Sequence, residues 1–149
     1  MAIAMDTAGA AFGLWQGGNT TGIGVANEPG ALCWNEHLSR DFDASKAFYQ
    51  AVFGYEYQDM SGEGFKYAML KLDGHDVGGI GEYPEGTPPE VPAAWAAYFQ
   101  VTDTDAAVAK VVELGGHVVQ PIRDSPYGRI GVVADNHGAV FSLITPPAG

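Results

Sequence analysis

The 149-residue sequence contains a single cysteine, Cys33, which excludes an internal disulfide and any thiolate cluster that could hold zinc or an iron–sulfur centre. This cysteine usage is typical of a reducing compartment, and we expect a cytoplasmic protein. Basic residues are also scarce: 7 Lys and Arg stand against 18 Asp and Glu, which gives a net charge of −11. The negative charge disfavours nucleic acid and anionic lipid surfaces as partners.

Long hydrophobic runs are missing as well. No stretch approaches the roughly 20 apolar residues that span a bilayer, so no membrane segment is expected. Residues 1–6 lack the basic n-region of a signal peptide. With 46% hydrophobic and 17% charged residues, the chain has the composition of an ordinary globular domain and not of a disordered segment.

What the sequence does contain is a repeat. Residues 6–14 (DTAGAAFGL) return as residues 135–143 (DNHGAVFSL), with Asp, Gly, Ala, Phe and Leu in register. Self-similarity of this kind indicates a structural unit that is built twice. The two copies differ at Gly13 and Ser142, among other positions.

Hydrophobic periodicity predicts the same order of elements twice, a strand, a helix and three strands. Asp103 is the expected N-cap of the second helix, while Gly54 and Gly115 are the expected C-terminal ends of the two helices. A proline-rich segment, 84–92, separates the two halves. The predicted strands are 31–38, 54–60, 64–72, 75–82, 95–102, 117–122, 128–134 and 139–145.

These patterns predict an α+β fold in which a module over residues 31–146 has two βαβββ halves, at about 31–83 and 93–146. Residues 17–30 are rich in Gly, Asn and Thr and are predicted to be a linker. Since the second copy of the repeat is the last strand of the module, we expect residues 1–30 to be the leftover strand of a preceding module plus this linker. Its apolar side chains should be buried against a sheet edge of this chain or of a partner, namely Phe12, Leu14 and Trp15.

Residues 38–49 (LSRDFDASKAFY), which continue into Phe53-Gly54-Tyr55, resemble the first strand–helix unit of the vicinal oxygen chelate superfamily. This superfamily includes glyoxalases, bleomycin-resistance proteins and extradiol dioxygenases. Residues 101–116 and 134–141 resemble its second unit, so the chain is similar to the C-terminal module of a two-module member. The resemblance implies that the two βαβββ units curl around a shared cavity and that the protein is a homodimer.

The resemblance also implies where a metal would be held. Transfer by position puts Trp34, Ala96 and Ser142 at three ligand positions of the metal-using members, and none of these side chains is a usual ligand of a divalent ion. Glu36 and Glu82, without an imidazole, would hold magnesium only weakly. The four histidines are expected to be solvated or locally hydrogen-bonded, with His37 on the opposite face of its strand from Glu36. We therefore expect neither a metal nor another cofactor.

With the ligand positions changed in this way, the predicted cavity face offers aromatic area for stacking and a few polar groups for orientation. Arg129 is a possible anchor for a phenolate or carboxylate of a ligand. Trp95, Tyr67, Phe65 and Met69 are possible walls, depending on strand registers that the sequence does not determine. The expected ligand-binding residues are Trp34, Glu36, Tyr98, Gln100, Ser142 and Arg129.

The leading hypothesis is metal-independent binding or sequestration of a hydrophobic or aromatic small molecule, as in antibiotic-resistance proteins of this superfamily. The sequence shows no nucleophilic catalytic set, and catalytic residues are left unassigned. The alternative is a glyoxalase-like lyase or isomerase, or a hydroxylase, that acts on a small metabolite with Glu36 or Glu82 as the base, or with an unrecognised metal. A third possibility is a structural module whose cavity is filled by side chains.

Overall fold

The chain forms two units, and each contains one helix and four hydrogen-bonded strands of a sheet. Unit 1 comprises residues 1–22 and 35–95, and unit 2 comprises residues 23–34 and 96–149. The computed structural model describes residues 1–20 and 22–147; Thr21, within the predicted linker, lies outside the described residues. Two strands have residues in both units, because the chain passes from one unit to the other within them.

Unit 1 begins with a two-stranded antiparallel hairpin, β1 (Ala2–Met5) and β2 (Ala11–Leu14). Its larger sheet has the order β4-β5-β6-β3, in which β3 runs parallel to β6 and the other neighbours are antiparallel. The further elements are β3 (Leu32–Ser39), α1 (Phe42–Phe53), β4 (Glu56–Asp59), β5 (Tyr67–Leu72) and β6 (His75–Glu82).

Helix α1 begins and ends where polar and glycine residues permit it. The Asp41 side chain accepts a hydrogen bond from the Ala44 N–H at 3.0 Å, which satisfies one of the free amides of the first turn. Gly54 ends the helix in the left-handed conformation, with φ of 72°, as the sequence predicts. The helix packs on one face of the sheet, and the buried core there is Phe42, Tyr49, Ala68, Leu70 and Ile80.

Unit 2 repeats this connectivity with the sheet order β7-β10-β9-β8, in which β7 and β10 are parallel. Asp103 caps α2 through the Ala106 N–H at 3.0 Å, as predicted, and Gly115 after the helix has a φ of 90°. The predicted α+β class and the two βαβββ units are therefore confirmed. The elements are β7 (Ala94–Gln100), α2 (Thr104–Glu113), β8 (His117–Ser125), β9 (Gly128–Ala134) and β10 (Val140–Thr145).

The sequence repeat is a repeated hairpin. The pair β1–β2 has the same register as the pair β9–β10, so that Phe12 lies opposite Ala4 as Phe141 lies opposite Val133. The turns also match: Gly9 and the corresponding glycine of the second copy have φ values of 88° and 89°. Only glycine adopts this left-handed conformation without strain, which explains why it recurs.

An aspartate organises each of the two turns. Oδ1 of Asp6 accepts the N–H groups of Ala8 and Ala10 at 2.9 and 2.8 Å. Oδ1 of Asp135 accepts those of His137 and Ala139 at 2.8 and 2.9 Å. An aspartate that bonds the backbone two and four residues further on replaces the solvent that these amides would otherwise need. The shared sequence thus encodes the same local hydrogen bonds twice.

Among the described residues the hairpin β1–β2 does not extend the edge of a larger sheet, so the expected packing on a sheet edge of the same chain is not seen, and packing on a partner's edge stays a prediction. Within residues 1–20 and 22–147, β2 pairs with β1, and Phe12 instead packs edge-on against three rings of α1 in the same unit. Trp15 remains 62% exposed in this single chain, and its predicted burial against a partner chain stays a prediction. The rings that Phe12 contacts are Phe48, Tyr49 and Phe53, with centroids 6.0, 5.6 and 5.9 Å away.

No helix in the described part of the chain is both long enough and apolar enough to cross a membrane.

Candidate functional site

The sheet of unit 2 has two faces of different character. On the face that packs against α2, Val108 of the helix contacts Val133 and Leu143 of the sheet. Alternation along the strands puts a second cluster, centred on Tyr98 and Ile144, on the other face. We call this second surface, on the side of the unit 2 sheet opposite α2, the open face of unit 2. Its central residues Tyr98, Ile130, Ser142 and Ile144 are buried, and it also carries Trp34, Ala96 and Gln100, which are half-buried.

The three positions that the resemblance implies for metal ligands, Trp34, Ala96 and Ser142, lie on this open face. Trp34 and Ala96 pack against the buried cluster of Tyr98, Ile130 and Ile144. A divalent ion needs carboxylate, imidazole or thiolate donors, and these positions supply an indole, a methyl group and a hydroxyl. The residues present therefore do not fit a metal ion. Across residues 1–20 and 22–147, no group of three or more His, Cys, Asp and Glu side chains could hold one.

Tyr98 and Ser142 are neighbours across the parallel pair of β7 and β10. Their Cα atoms are register partners, and their exposed fractions are 8% and 2%. Gln100 follows on the same face, opposite Ile144, and its backbone exchanges hydrogen bonds with Ala31 and Gly30 at 3.0 and 2.8 Å. Four of the predicted site residues, Trp34, Tyr98, Gln100 and Ser142, are thus brought together in unit 2.

Arg129 does not belong to this group, and its predicted role as a ligand anchor stays a prediction. It lies opposite Thr145 in the β9–β10 register, on the face that packs against α2. Its guanidinium bonds to both carboxylate oxygens of Asp105 and, at 2.9 Å, to Asp124. The bonds from Asp105 and then Asp124 raise the pKa of Arg129 above its ordinary value. The positive charge of Arg129 is therefore paired with two carboxylates at the surface.

Glu36 lies in unit 1, and the structure agrees with its predicted direction relative to His37. His37 is fully buried on the α1 side, where its ring contacts the ring of Tyr49 with centroids 5.3 Å apart. Alternation directs Glu36 to the other side of β3, where it is half-buried and its Cα pairs with Gly79 of β6. The second carboxylate considered, Glu82, pairs with Lys66 at 3.1 Å.

A buried polar network in unit 1 was missed by the sequence analysis. Oδ2 of Asp6 accepts a hydrogen bond from the Tyr49 hydroxyl at 2.8 Å, and that hydroxyl in turn accepts one from Trp95 Nε1 at 2.8 Å. Nε2 of His37 lies 2.7 Å from the same Asp6 oxygen. The approach to the ring is not that of a directed hydrogen bond, and both ring nitrogens lack a hydrogen-bond partner among the described residues.

Protonation in this network follows from burial. Burial lowers the pKa of His37 below 6.5 and outweighs the neighbouring carboxylate, so the imidazole is neutral near pH 7. Burial alone would raise the pKa of Asp6, but hydrogen bonds from Ala10, Tyr49 and Ala8 and the proximity of His37 lower it overall. The network is an ionised carboxylate surrounded by neutral donors. The sequence signal of this network was Asp6, the aspartate that recurs in the repeat. Periodicity could not show that His37 and Tyr49 surround it.

The superfamily resemblance is confirmed by comparison with known proteins. The family model of the Glyoxalase/Bleomycin resistance protein/Dioxygenase superfamily matches residues 37–143, and the chain belongs to this superfamily. A solved relative is a variant of methylmalonyl-CoA epimerase from Streptomyces coelicolor in complex with 2-nitronate-propionyl-CoA. It is 26% identical, the match covers 78% of this chain and 97% of that one, and the TM-score is 0.55.

Two curated relatives match almost the whole chain. "Putative glyoxylase CFP32" of Mycobacterium bovis is 41% identical over 148 residues, which are 98% of this chain and 56% of the relative. "Anthracycline biosynthesis protein DauV" of Streptomyces sp. (strain C5) is 36% identical over 144 residues, which are 97% of this chain and 52% of the relative. The chain thus spans about half the length of the curated relatives it matches.

Proposed function

We propose that this chain binds a hydrophobic or aromatic small molecule without a metal ion. The observation that carries the proposal is the open face of unit 2, where an indole, a phenol and a hydroxyl occupy or adjoin the positions at which metal-using relatives carry their ligands. An aromatic surface of this kind favours flat apolar molecules, because stacking and burial of apolar area stabilise the complex. Ser142 and Gln100 supply the few polar groups that orient a ligand on such a surface.

The relatives indicate which molecules to test first. Two Streptomyces relatives are named for anthracycline biosynthesis, and each is 36% identical to this chain over 144 residues. Their name supports an anthracycline-type aromatic ligand here. The open face of unit 2 suits such a ligand by virtue of Trp34 and Tyr98. The proposed function is capture of the molecule, in which its covalent structure does not change.

The test is calorimetric titration of the protein with doxorubicin in the presence of EDTA. We expect saturable binding, and we expect Trp34→Phe to weaken it about threefold, since the smaller ring loses part of the stacking area, about 0.7 kcal/mol. Trp15→Phe is the matched control, because Trp15 is an exposed tryptophan of unit 1 and should leave the affinity unchanged. Ser142→Ala tests the polar contribution with a smaller change of volume.

The proposal fails if aromatic natural products do not bind while an added divalent metal produces turnover of a small metabolite. That result would favour the alternative, a glyoxalase-like lyase or isomerase or a hydroxylase. The observation in favour of the alternative is the likeness to methylmalonyl-CoA epimerase, together with the carboxylate of Glu36 on the side of β3 away from α1. Proton exchange of methylmalonyl-CoA in deuterated water, with Glu36→Gln as the inactive variant, would reveal such an activity.

A further inference from the structure

A row of side chains crosses all four strands of the unit 2 sheet on its open face. Arg123 of β8 lies opposite Ile130 of β9, which is the register partner of Ile144 in β10. Ile144 is in turn the partner of Gln100 in β7. Residues that are directly opposite in neighbouring strands point to the same side of a sheet. Arg123 therefore lies at the β8 end of the open face of unit 2, and Gln100 lies at the β7 end.

The neighbours of Arg123 in β8 agree with this direction. The next residue, Asp124, bonds to Arg129 on the side of the sheet that packs against α2. The preceding residue, Ile122, packs against the buried cluster on that same side. Alternation along the strand then directs Arg123 to the opposite side. Its guanidinium donates to Oε1 of Gln120 at 3.2 Å.

Arg123 differs from the other cationic side chains of the chain in what it contacts. Of the 7 Lys and Arg residues, four bond to carboxylates, one bonds to two backbone carbonyls and one lies over two aromatic rings. Among the residues that the structure describes, the exposed Arg123 bonds only to the neutral side chain of Gln120. Its guanidinium carries five N–H donors, so most of them are available to an acid from outside the chain. The carboxylate-paired cations are Lys66, Lys71, Lys110 and Arg129.

The negative charge of the chain limits how far the attraction of Arg123 reaches. A net charge of −11 opposes the approach of an anion. Salt screens that opposing field beyond about 8 Å at physiological ionic strength. In contact, a guanidinium and a carboxylate form two parallel charge-assisted hydrogen bonds, which are stronger than bonds between neutral groups. Recognition by Arg123 is therefore a contact effect, which selects among molecules that already lie on the open face of unit 2.

We infer that Arg123 anchors an acidic group, a carboxylate or a phenolate, of the ligand that binds to the open face of unit 2. Neighbouring strands lie about 4.8 Å apart, so the backbone positions of Arg123 and Gln100 are about 14 Å apart along the row. Three fused rings with one acidic substituent cover this distance, together with the reach of the two side chains. The inference rests on the proposed function, in which an aromatic molecule binds in unit 2, and it adds that this molecule is an acid.

The test compares two probes that differ in charge but hardly in shape, anthraquinone-2-carboxylate and anthraquinone-2-carboxamide. In calorimetric titrations at neutral pH, we expect the wild-type protein to bind the carboxylate about fivefold more tightly, since a partly exposed charge pair contributes about 1 kcal/mol. This preference should shrink at high ionic strength, because salt screens an exposed ion pair.

Arg123→Gln should bind the two probes with equal affinity. Arg123→Lys should keep part of the preference, because an ammonium attracts a carboxylate but lacks the planar fork that bonds both oxygens. Lys110→Gln is the control, since it removes the same charge from the exposed surface of α2 and should keep the preference. Circular dichroism of each variant verifies that it is folded.

Arg129→Gln separates the two arginines of this region. The Arg129 guanidinium already bonds to Asp105 and Asp124 on the α2 side of the sheet, so we expect its replacement to keep the preference for the carboxylate. A preference that depends on Arg123 and not on Arg129 would place the acidic group of the ligand on the open face of unit 2.

Three outcomes would overturn the inference. The first is a wild-type protein that binds both probes equally. The second is a preference that survives in Arg123→Gln or that is lost in Arg129→Gln instead. In both cases Trp34→Phe tests the proposed function separately, because it should weaken both probes alike. The third outcome is that neither probe binds: if doxorubicin still binds, only the inference fails, and if it does not, the proposed function fails as well.

Discussion

Asp6 and His37 are held together in the interior of unit 1, with Oδ2 of the carboxylate 2.7 Å from Nε2 of the imidazole. The aspartate comes from the N-terminal hairpin and the histidine from β3, so this contact ties the hairpin to the sheet. Both side chains are fully buried, and the Tyr49 hydroxyl donates to the same carboxylate oxygen. A buried ionised carboxylate is costly unless it is well solvated by donors, and here it has four polar neighbours.

Replacement of Asp6 should destabilise the protein far more than replacement of its counterpart in the repeat. Asp6→Ala leaves Tyr49 and His37 buried without the carboxylate, at a cost of about 3 kcal/mol or more. Asp135→Ala is the matched control, because it removes the same two turn hydrogen bonds at the surface. Urea unfolding of the two variants measures the difference. Equal losses of unfolding free energy in the two variants would mean that Asp6 stabilises the protein only through its turn hydrogen bonds and not through Tyr49 and His37.

Stability should fall as the pH drops below 6.5. His37 has a lowered pKa in the folded protein, so below 6.5 the unfolded chain takes up a proton that the native state does not bind. Folding free energy is then lost as the pH falls, by at most about 1.4 kcal/mol per pH unit for one group, until the folded pKa is reached. Thermal unfolding between pH 7.5 and 5 measures the slope.

The variant His37→Phe checks the origin of this slope. It keeps an aromatic ring against Tyr49 and Trp95 but removes the titrating group, so the pH dependence in this window should flatten. His75→Gln is the control at an exposed histidine and should retain the wild-type slope. An unchanged slope in His37→Phe would assign the pH dependence to another group.

Arg129→Gln should leave ligand affinity unchanged and should lower the melting temperature slightly. The guanidinium bonds to Asp105 and Asp124 at the surface, away from the open face of unit 2. Exposed ion pairs contribute little to stability and are screened by salt, so the difference in melting temperature should shrink at high ionic strength. A large loss of doxorubicin affinity would restore Arg129 to the ligand site.

Phe12→Ala should weaken the attachment of the hairpin to unit 1. The side chain makes three edge-to-face contacts with the rings of α1, and its removal should cost about 2–4 kcal/mol. Trp15→Ala serves as control, because Trp15 is 62% exposed. Hydrogen exchange should then show faster opening of residues 2–14 in Phe12→Ala than in the control. Equal protection in both variants would contradict the packing role of Phe12.

Local patterns predicted most of the fold, since caps, turns and periodicity are properties of neighbouring residues. Gly54 and Asp103 end and begin their helices where the sequence predicts, and the alternation that separates Glu36 from His37 is also predicted. The site was predicted less completely because it depends on pairing between distant strands. Tyr67 acquires its position only from its register with Gly81. Arg129 lies apart from the other predicted residues because its partner Asp105 lies on a helix that packs against the other face.

The two aspartate turns, residues 6–10 and 135–139, have the same local structure. They share their register, their left-handed glycine and their pair of backbone bonds, so exchanging one five-residue segment for the other should leave both hairpins intact. The two turns differ in their surroundings, because aromatic rings of unit 1 surround the first turn and not the second. The same turn structure therefore attaches a hairpin to the interior of unit 1 at residues 6–10 and lies at the solvent-exposed surface at residues 135–139.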